Sequence, residues 1–263
     1  MKQSGTAAVG LDLGVDDPVA IRIISQNDLR EAFASGVEDF KKHFFITVPL
    51  SAFLVAVGLY MCHATLMMGH LQLVIPLMTG FALIAPALAI VLYELSRRSE
   101  PAAGIPCRMA SSTVIWRIAA LSAMLLSIFM LWLLVANTVY YWAVDGQVAL
   151  TSGALLTQLS DLETLAKLLL VGCSVGFLFA VLVFCITVVS FQMVLEHDVT
   201  APVALGLSFK AATHNPRVMA YWAAFIALTL AVASLPLLLG LVFAFPILGH
   251  SSWHLYRRVI ATP

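Results

Sequence analysis

The chain has 263 residues, of which 61% are hydrophobic and only 11% charged, and its formal net charge is zero. A soluble domain carries about 25% charged residues, and a chain this apolar cannot hide its surface in a core of its own size. The neutral balance leaves no basic patch for a nucleic acid, so no nucleic-acid partner is expected.

Residues 1–24 are small, polar and turn-rich, with Gly10, Gly14 and Pro18. They read as a flexible cytoplasmic tail. They hold no apolar signal-peptide core, and Asp12, Asp16 and Asp17 stand where one would lie. Residues 25–42 change character. Leu29, Phe33, Val37, Phe40 and Phe44 recur at helical spacing, and most of the charged residues fall on the other face. Ser25 or Asn27 supplies a cap. The segment is expected to be an amphipathic cytoplasmic helix, resting either on lipid or on other parts of the protein.

Residues 43–259 carry the transmembrane domain. Six spans are expected, near 43–62, 71–94, 117–140 and 166–193, with two more inside 218–258. A span needs about 20 residues at 1.5 Å each to cross roughly 30 Å of hydrocarbon. The run 218–258 has no charge before Arg257 and is twice that length, so it must fold back, best at Ser234-Leu235-Pro236. The fold class is therefore an all-α polytopic membrane bundle.

The loops give the orientation. Lys2, Arg22, Arg30, Lys41, Lys42, Arg97, Arg98, Arg108, Arg117, Lys210, Arg217, Arg257 and Arg258 fall on one side, and Lys167 alone on the other. Lys and Arg collect in cytoplasmic loops, so both termini are placed in the cytoplasm and the first span acts as an uncleaved insertion signal. Trp116, Tyr140, Tyr141, Trp142, Tyr221, Trp222, Trp253 and Tyr256 flank span ends, as interfacial aromatics do.

The second and sixth spans repeat one register. Gly80 precedes Pro86 as Gly240 precedes Pro246, Tyr93-Glu94 align with Trp253-His254, and Arg97-Arg98 with Arg257-Arg258. Gly176 opens a weaker third copy. Three pseudo-repeated hairpins follow as the expected architecture.

No catalytic motif is present: no Walker sequence, GxSxG, HExxH or dinucleotide fingerprint. No enzyme is expected. Cys62, Cys107, Cys173 and Cys185 lack metal or redox spacing and read as free. Glu94, His250 and His254 form a candidate intramembrane polar layer. His250 and His254 are four residues apart and share a face, which suits a metal or haem ligand, but two ligands do not make a metal site. No metal is expected and the cofactor stays unknown. Glu94 pairs with Arg97 or Arg98 in the bland reading, and faces His254 across the bundle in the functional one. His43, His63, His70, His197 and His214 read as interfacial. Gly172, Gly176 and Ala180 form a small-residue stripe for helix packing.

Asp28-Leu29-Arg30-Glu31-Ala32 with Gly36-Val37-Glu38-Asp39-Phe40, the stretch Gly80 to Arg98, and Gly249-His250-Ser251-Ser252-Trp253-His254-Leu255-Tyr256-Arg257-Arg258 together resemble a family of uncharacterised bacterial inner-membrane proteins, a domain of unknown function. The resemblance implies six helices in the inner membrane and supplies no activity. Some members carry the label cytochrome c oxidase subunit I, a twelve-helix protein with several intramembrane haem and copper histidines, and the residues here do not support it. The expected function is accessory, assembly or regulatory. The partners are the lipid bilayer and a larger membrane complex, respiratory by association, or another copy of the chain. The alternatives are a small transporter with Glu94 and His254 in its pathway, or a haem-binding subunit.

Overall fold

A computed structural model describes residues 9–11, 19–100, 111–146 and 152–261. Cys107, Arg108 and most of the N-terminal tail lie outside the described residues. The chain is an integral membrane protein, built almost entirely of helices. In order these are α1 Gln26–Lys42, α2 Phe44–Met67, α3 Val74–Leu88, α4 Ile90–Ser99, α5 Ser112–Ala143, α6 Ser152–Ser160, α7 Leu162–Lys167, α8 Cys173–Thr187, α9 Ser190–Glu196, α10 Ala201–His214, α11 Pro216–Ser234 and α12 Leu241–Val259. Three short strands, β1 Val9–Leu11, β2 Val19–Ile21 and β3 Ile260–Ala261, pair antiparallel in that order. Strands therefore stand within the segment whose composition predicts a tail.

Among the described residues, five helical stretches are long and apolar enough to cross a membrane: 44–67, 71–88, 112–143, 162–196 and 216–234. Their apolar side chains point outwards, and Phe45 is 90% exposed. Surface of that kind is stable only against hydrocarbon. The sixth expected span corresponds to α12, which forms as a helix but falls outside this set because it carries His250, His254, Arg257 and Arg258.

Two expected spans are interrupted. The helix from Leu71 stops at Leu88, and α4 starts afresh at Ile90. Pro86 lies in the last turn of α3, three residues before the break, and removes one N–H from the helix ladder. The stretch 162–196 passes through a π-helical segment at Leu168–Gly172 and breaks again between α8 and α9. The fold-back between α11 and α12 lies at residues 235–240, where Leu237 and Leu238 take positive φ values. The matched Gly-to-Pro stretches differ locally. Gly80 and Pro86 both lie inside α3, whereas Gly240 caps α12 and Pro246 is carried within it without a break.

The chain divides into two compact units. One comprises 53–85 and 122–183. At its centre the Trp132 indole lies against Gly80 and Gly176, where an added methyl would come within 2.7 and 3.1 Å of the ring. Its Nε1 donates to the Pro76 carbonyl at 2.9 Å, and Phe179 packs beside it. Small residues let a bulky ring reach the neighbouring backbones, which is how helices associate without a hydrophobic drive. Within the predicted stripe, Gly176 serves this packing. Gly172 has only Val139 near it, at 3.9 Å, and Ala180 is exposed.

The other unit comprises 1–52, 86–121 and 184–263. Its core is α12, with α1 along one side and α4 and α11 on others. α1 starts in a capping box. Ser25 Oγ accepts from the Asp28 backbone N–H, and the Asp28 carboxylate accepts from the Ser25 backbone N–H at 2.7 Å. Each satisfies a group the first turn would leave unpaired. Lys41 and Lys42 close the helix, where positive charge suits its C-terminal dipole. Asn215, between α10 and α11, ties down the approach to α1: its side chain accepts from Ile24 N–H at 2.9 Å and donates to the Arg22 carbonyl at 3.0 Å.

Candidate functional site

A buried polar cluster sits where α1, α4 and α12 meet within this unit. α1 buries Ala32, Gly36, Asp39 and Phe40, a stripe at helical spacing with an acid inside it. A methyl on Gly36 would lie 2.5 Å from the backbone nitrogen of Ser251 and 2.7 Å from its Cα. The two helix backbones therefore touch, and only glycine fits the crossing. On α4, Leu92 packs into the notch left by Gly249 of α12.

This close approach brings three elements' polar groups together. Asp39 Oδ2 is 2.8 Å from His254 Nε2. Ser96 Oγ is 2.7 Å from His250 Nδ1 and also donates to the Asp39 carboxylate. His43, just past the end of α1, stacks on His250 with ring centroids 5.8 Å apart. Its Nδ1 donates to the Asp39 carbonyl at 3.0 Å, and its Nε2 lies 3.3 Å from Ser99 Oγ. His250 is wholly buried, and its Nε2 has no hydrogen-bond partner.

Asp39 is surrounded by donors. Burial pushes its carboxyl up, but the hydrogen bonds from His254 and Ser96 and the nearby histidine charge outweigh burial and hold it below the usual carboxylate range. At the far end of α1, burial also raises Asp28, while Ser25 and Arg258 lower it further, so its net direction is down. Arg258 reaches both Asp28 and Glu31 of α1, the latter at 2.7 Å. A carboxylate whose folded value is depressed stabilises the fold above its ordinary value and loses that contribution as acid protonates it. The contribution of these two carboxylates to the docking of α1 is therefore full above pH 3.8, the ordinary value for both acids, and is lost below it. Hydrogen exchange of residues 26–42 across an acid titration checks this.

Glu94 and His254 have separate partners. Glu94 is buried and accepts from Arg97 Nε at 2.8 Å, from Arg97 Nη2 at 2.9 Å and from Arg98 Nε at 2.8 Å, all on its own helix. His254 and His250 do lie together on α12, and both turn towards α1 and α4. A second network lies nearby. Arg257 bonds Glu100 through Nε and Nη2 and also reaches Glu196, Tyr256 donates to Glu196, and Trp253 Nε1 donates to Glu100 at 2.9 Å. Glu196 ends α9 with its carboxylate occupied.

Sequence reasoning missed Asp39, Ser96 and His43 as members of this cluster. One signal was available for Asp39. Ala32 and Gly36 mark a close-packing face, and Asp39 lies on that face one turn further on. No group of three or more histidines, cysteines and acids able to hold a metal occurs among the described residues.

No curated protein and no solved structure matches the chain. Residues 74–196 match the model of a family described as predicted integral membrane protein (DUF2189), a domain of unknown function, and the chain is an integral membrane protein.

Proposed function

We propose that this is a non-enzymatic multi-pass protein of the bacterial inner membrane, acting as an accessory, assembly or regulatory factor. Both termini lie in the cytoplasm, α12 completes six spans, and the three hairpins descend from one repeated unit. The basic residues concentrated on one side support that orientation. The amphipathic α1 is the working element, held on α12 and able to engage a partner or the lipid surface when it leaves.

One observation carries the reading. The charged groups around α12 are committed to one another, Glu94 to Arg97 and Arg98, Asp39 to His254, Glu100 and Glu196 to Arg257, Asp28 and Glu31 to Arg258. Paired charges of this kind fasten elements together, whereas a transport pathway presents ionisable groups to a water-filled cavity. Glu94 is only 4% exposed, and its charge is matched on its own helix. The haem alternative meets a geometric objection. His250 and His254 lie one turn apart on the same face, so together they cannot ligate one iron from opposite sides of a haem plane.

Gentle purification from the native membrane, with a visible spectrum and mass spectrometry of what accompanies the protein, tests the proposal. The expected result is a colourless protein in stoichiometric company with a larger membrane complex. A protein that runs alone and catalyses solute uptake in vesicles, lost in Glu94→Gln at unchanged expression, would overturn it in favour of transport.

A further inference from the structure

The hydrogen bonds of the cluster assign its protons. Ser96 has one hydroxyl proton and two neighbours, the Asp39 carboxylate and His250 Nδ1. The carboxylate can only accept, so a Ser96 hydroxyl turned to Asp39 would accept from His250 Nδ1–H. The proton on His250 is then at Nδ1, and Nε2 carries a bare lone pair. That nitrogen is buried and without a partner, which is rare for a polar atom in a folded core and calls for an explanation.

We propose that His250 is a buried proton-binding site, and that taking up a proton at Nε2 releases α1 from α12. The inference rests on the reading of α1 as the working element and adds what controls it. Protonation would create an N–H at a position that has no hydrogen-bond partner, and place in a buried site a positive charge that the Asp39 carboxylate and the Leu92 carbonyl offset only in part. From α1 the only acid facing the ring is Asp39, already bonded to His254, and His43 stacks on the ring. From α4 come Ser96 and the Leu92 carbonyl, while Glu94 is matched by Arg97 and Arg98. α11 carries Arg217 and Tyr221, both exposed. Along α12, His254 is one turn away, Arg257 is held by Glu100 and Glu196, and Arg258 by Asp28 and Glu31.

The charged ring reaches water only if α1 moves away, which also breaks the Ser96–Asp39 link. A solvated imidazole takes up its proton near pH 6.5. Because the released state binds this proton and the docked state does not, acid draws the equilibrium towards release, about tenfold one pH unit below that value. This window lies well above the one in which Asp28 and Asp39 titrate, so the two effects are separable.

The test is hydrogen–deuterium exchange of residues 26–42 in the full chain, held in phospholipid nanodiscs at pH 7.5 and 5.5, with exchange times scaled for intrinsic chemistry. The wild type should show α1 protected at pH 7.5 and about tenfold faster opening at pH 5.5. His250→Gln, which keeps an amide to bond Ser96 but cannot titrate, should show the same slow opening at both. A response that persists in His250→Gln and vanishes in His254→Gln belongs to the Asp39–His254 pair and overturns the proposal. Protection at both values in the wild type overturns it too, while leaving α1 docked as the functional reading requires. Exposure of α1 at both values overturns the docking and that reading with it. Should His250→Gln not accumulate, solid-state NMR of histidine-labelled wild type decides. Beside the His43 and His214 imidazoles, which also donate through Nδ1, a third should be neutral and Nδ1-protonated at pH 7.5 and gain its second proton as α1 opens, and a spectrum without that third form contradicts the proposal.

Discussion

Glu94→Gln is expected to destabilise the protein by about 3–5 kcal/mol, the usual result of removing one partner from a buried ion pair. The carboxylate is buried, and so is Arg97, whose side chain is 3% exposed. Taking away the negative charge removes the carboxylate that holds the Arg97 guanidinium through two hydrogen bonds, in a place where water cannot reach it. Arg98 makes the smaller contribution, because about half of its side chain is solvated and an exposed pair is worth roughly 1 kcal/mol or less. The double variant Glu94→Gln with Arg97→Met should recover part of the loss, since it removes both charges and fills the site with an apolar chain. Thermal unfolding in a mild detergent measures all three. Equal stability of Glu94→Gln and wild type would mean that the pair does not hold α4 in place.

Gly36→Ala should lower stability by about 1–3 kcal/mol, the cost of overpacking a filled interface. Two effects oppose each other here. Alanine favours the helix over glycine by about 1 kcal/mol. Against that, the added methyl meets the backbone of Ser251, which cannot rotate aside as a side chain would. The helices must part, and parting lengthens the Asp39–His254 hydrogen bond at the same time. Gly249→Ala, whose methyl meets only the flexible Leu92 side chain, should cost less. Gly36→Leu should leave α1 undocked altogether, read as rapid proteolysis within residues 26–42 in a chain that still assembles in the membrane.

The membrane class was legible because it rests on summed properties. Length and composition of apolar runs decide whether a helix can cross hydrocarbon, and no detail of packing reverses that. The start of α1 was legible as well, since Ser25 and Asp28 form a local signal three residues apart. The broken spans were not. Pro86 is one of several prolines in the apolar stretches, and Pro49 and Pro246 sit inside helices without ending them, so the residue type alone does not reveal the break. The cluster was half visible. His250 and His254 share a face by spacing, but their partners come from elements 154 and 215 residues away in sequence. In sequence Asp39 reads as a solvated charge, because charge marks the wet face of most amphipathic helices. The close packing at Gly36, which buries it, depends on α12. Glu94 illustrates the opposite case: its partners stand three and four residues on, and the short-range ion pair formed as the spacing allows.

The most direct test of the α1–α12 docking is a short thiol-specific cross-linker applied in native membranes to Asp39→Cys/His254→Cys, with Cys62, Cys107, Cys173 and Cys185 replaced by serine. The docked arrangement predicts an intramolecular link joining the N-terminal and C-terminal fragments after proteolysis, at higher yield than in Glu38→Cys/His254→Cys. No link, together with labelling of the residue 39 thiol by a water-soluble maleimide as fast as an unfolded control, would contradict it.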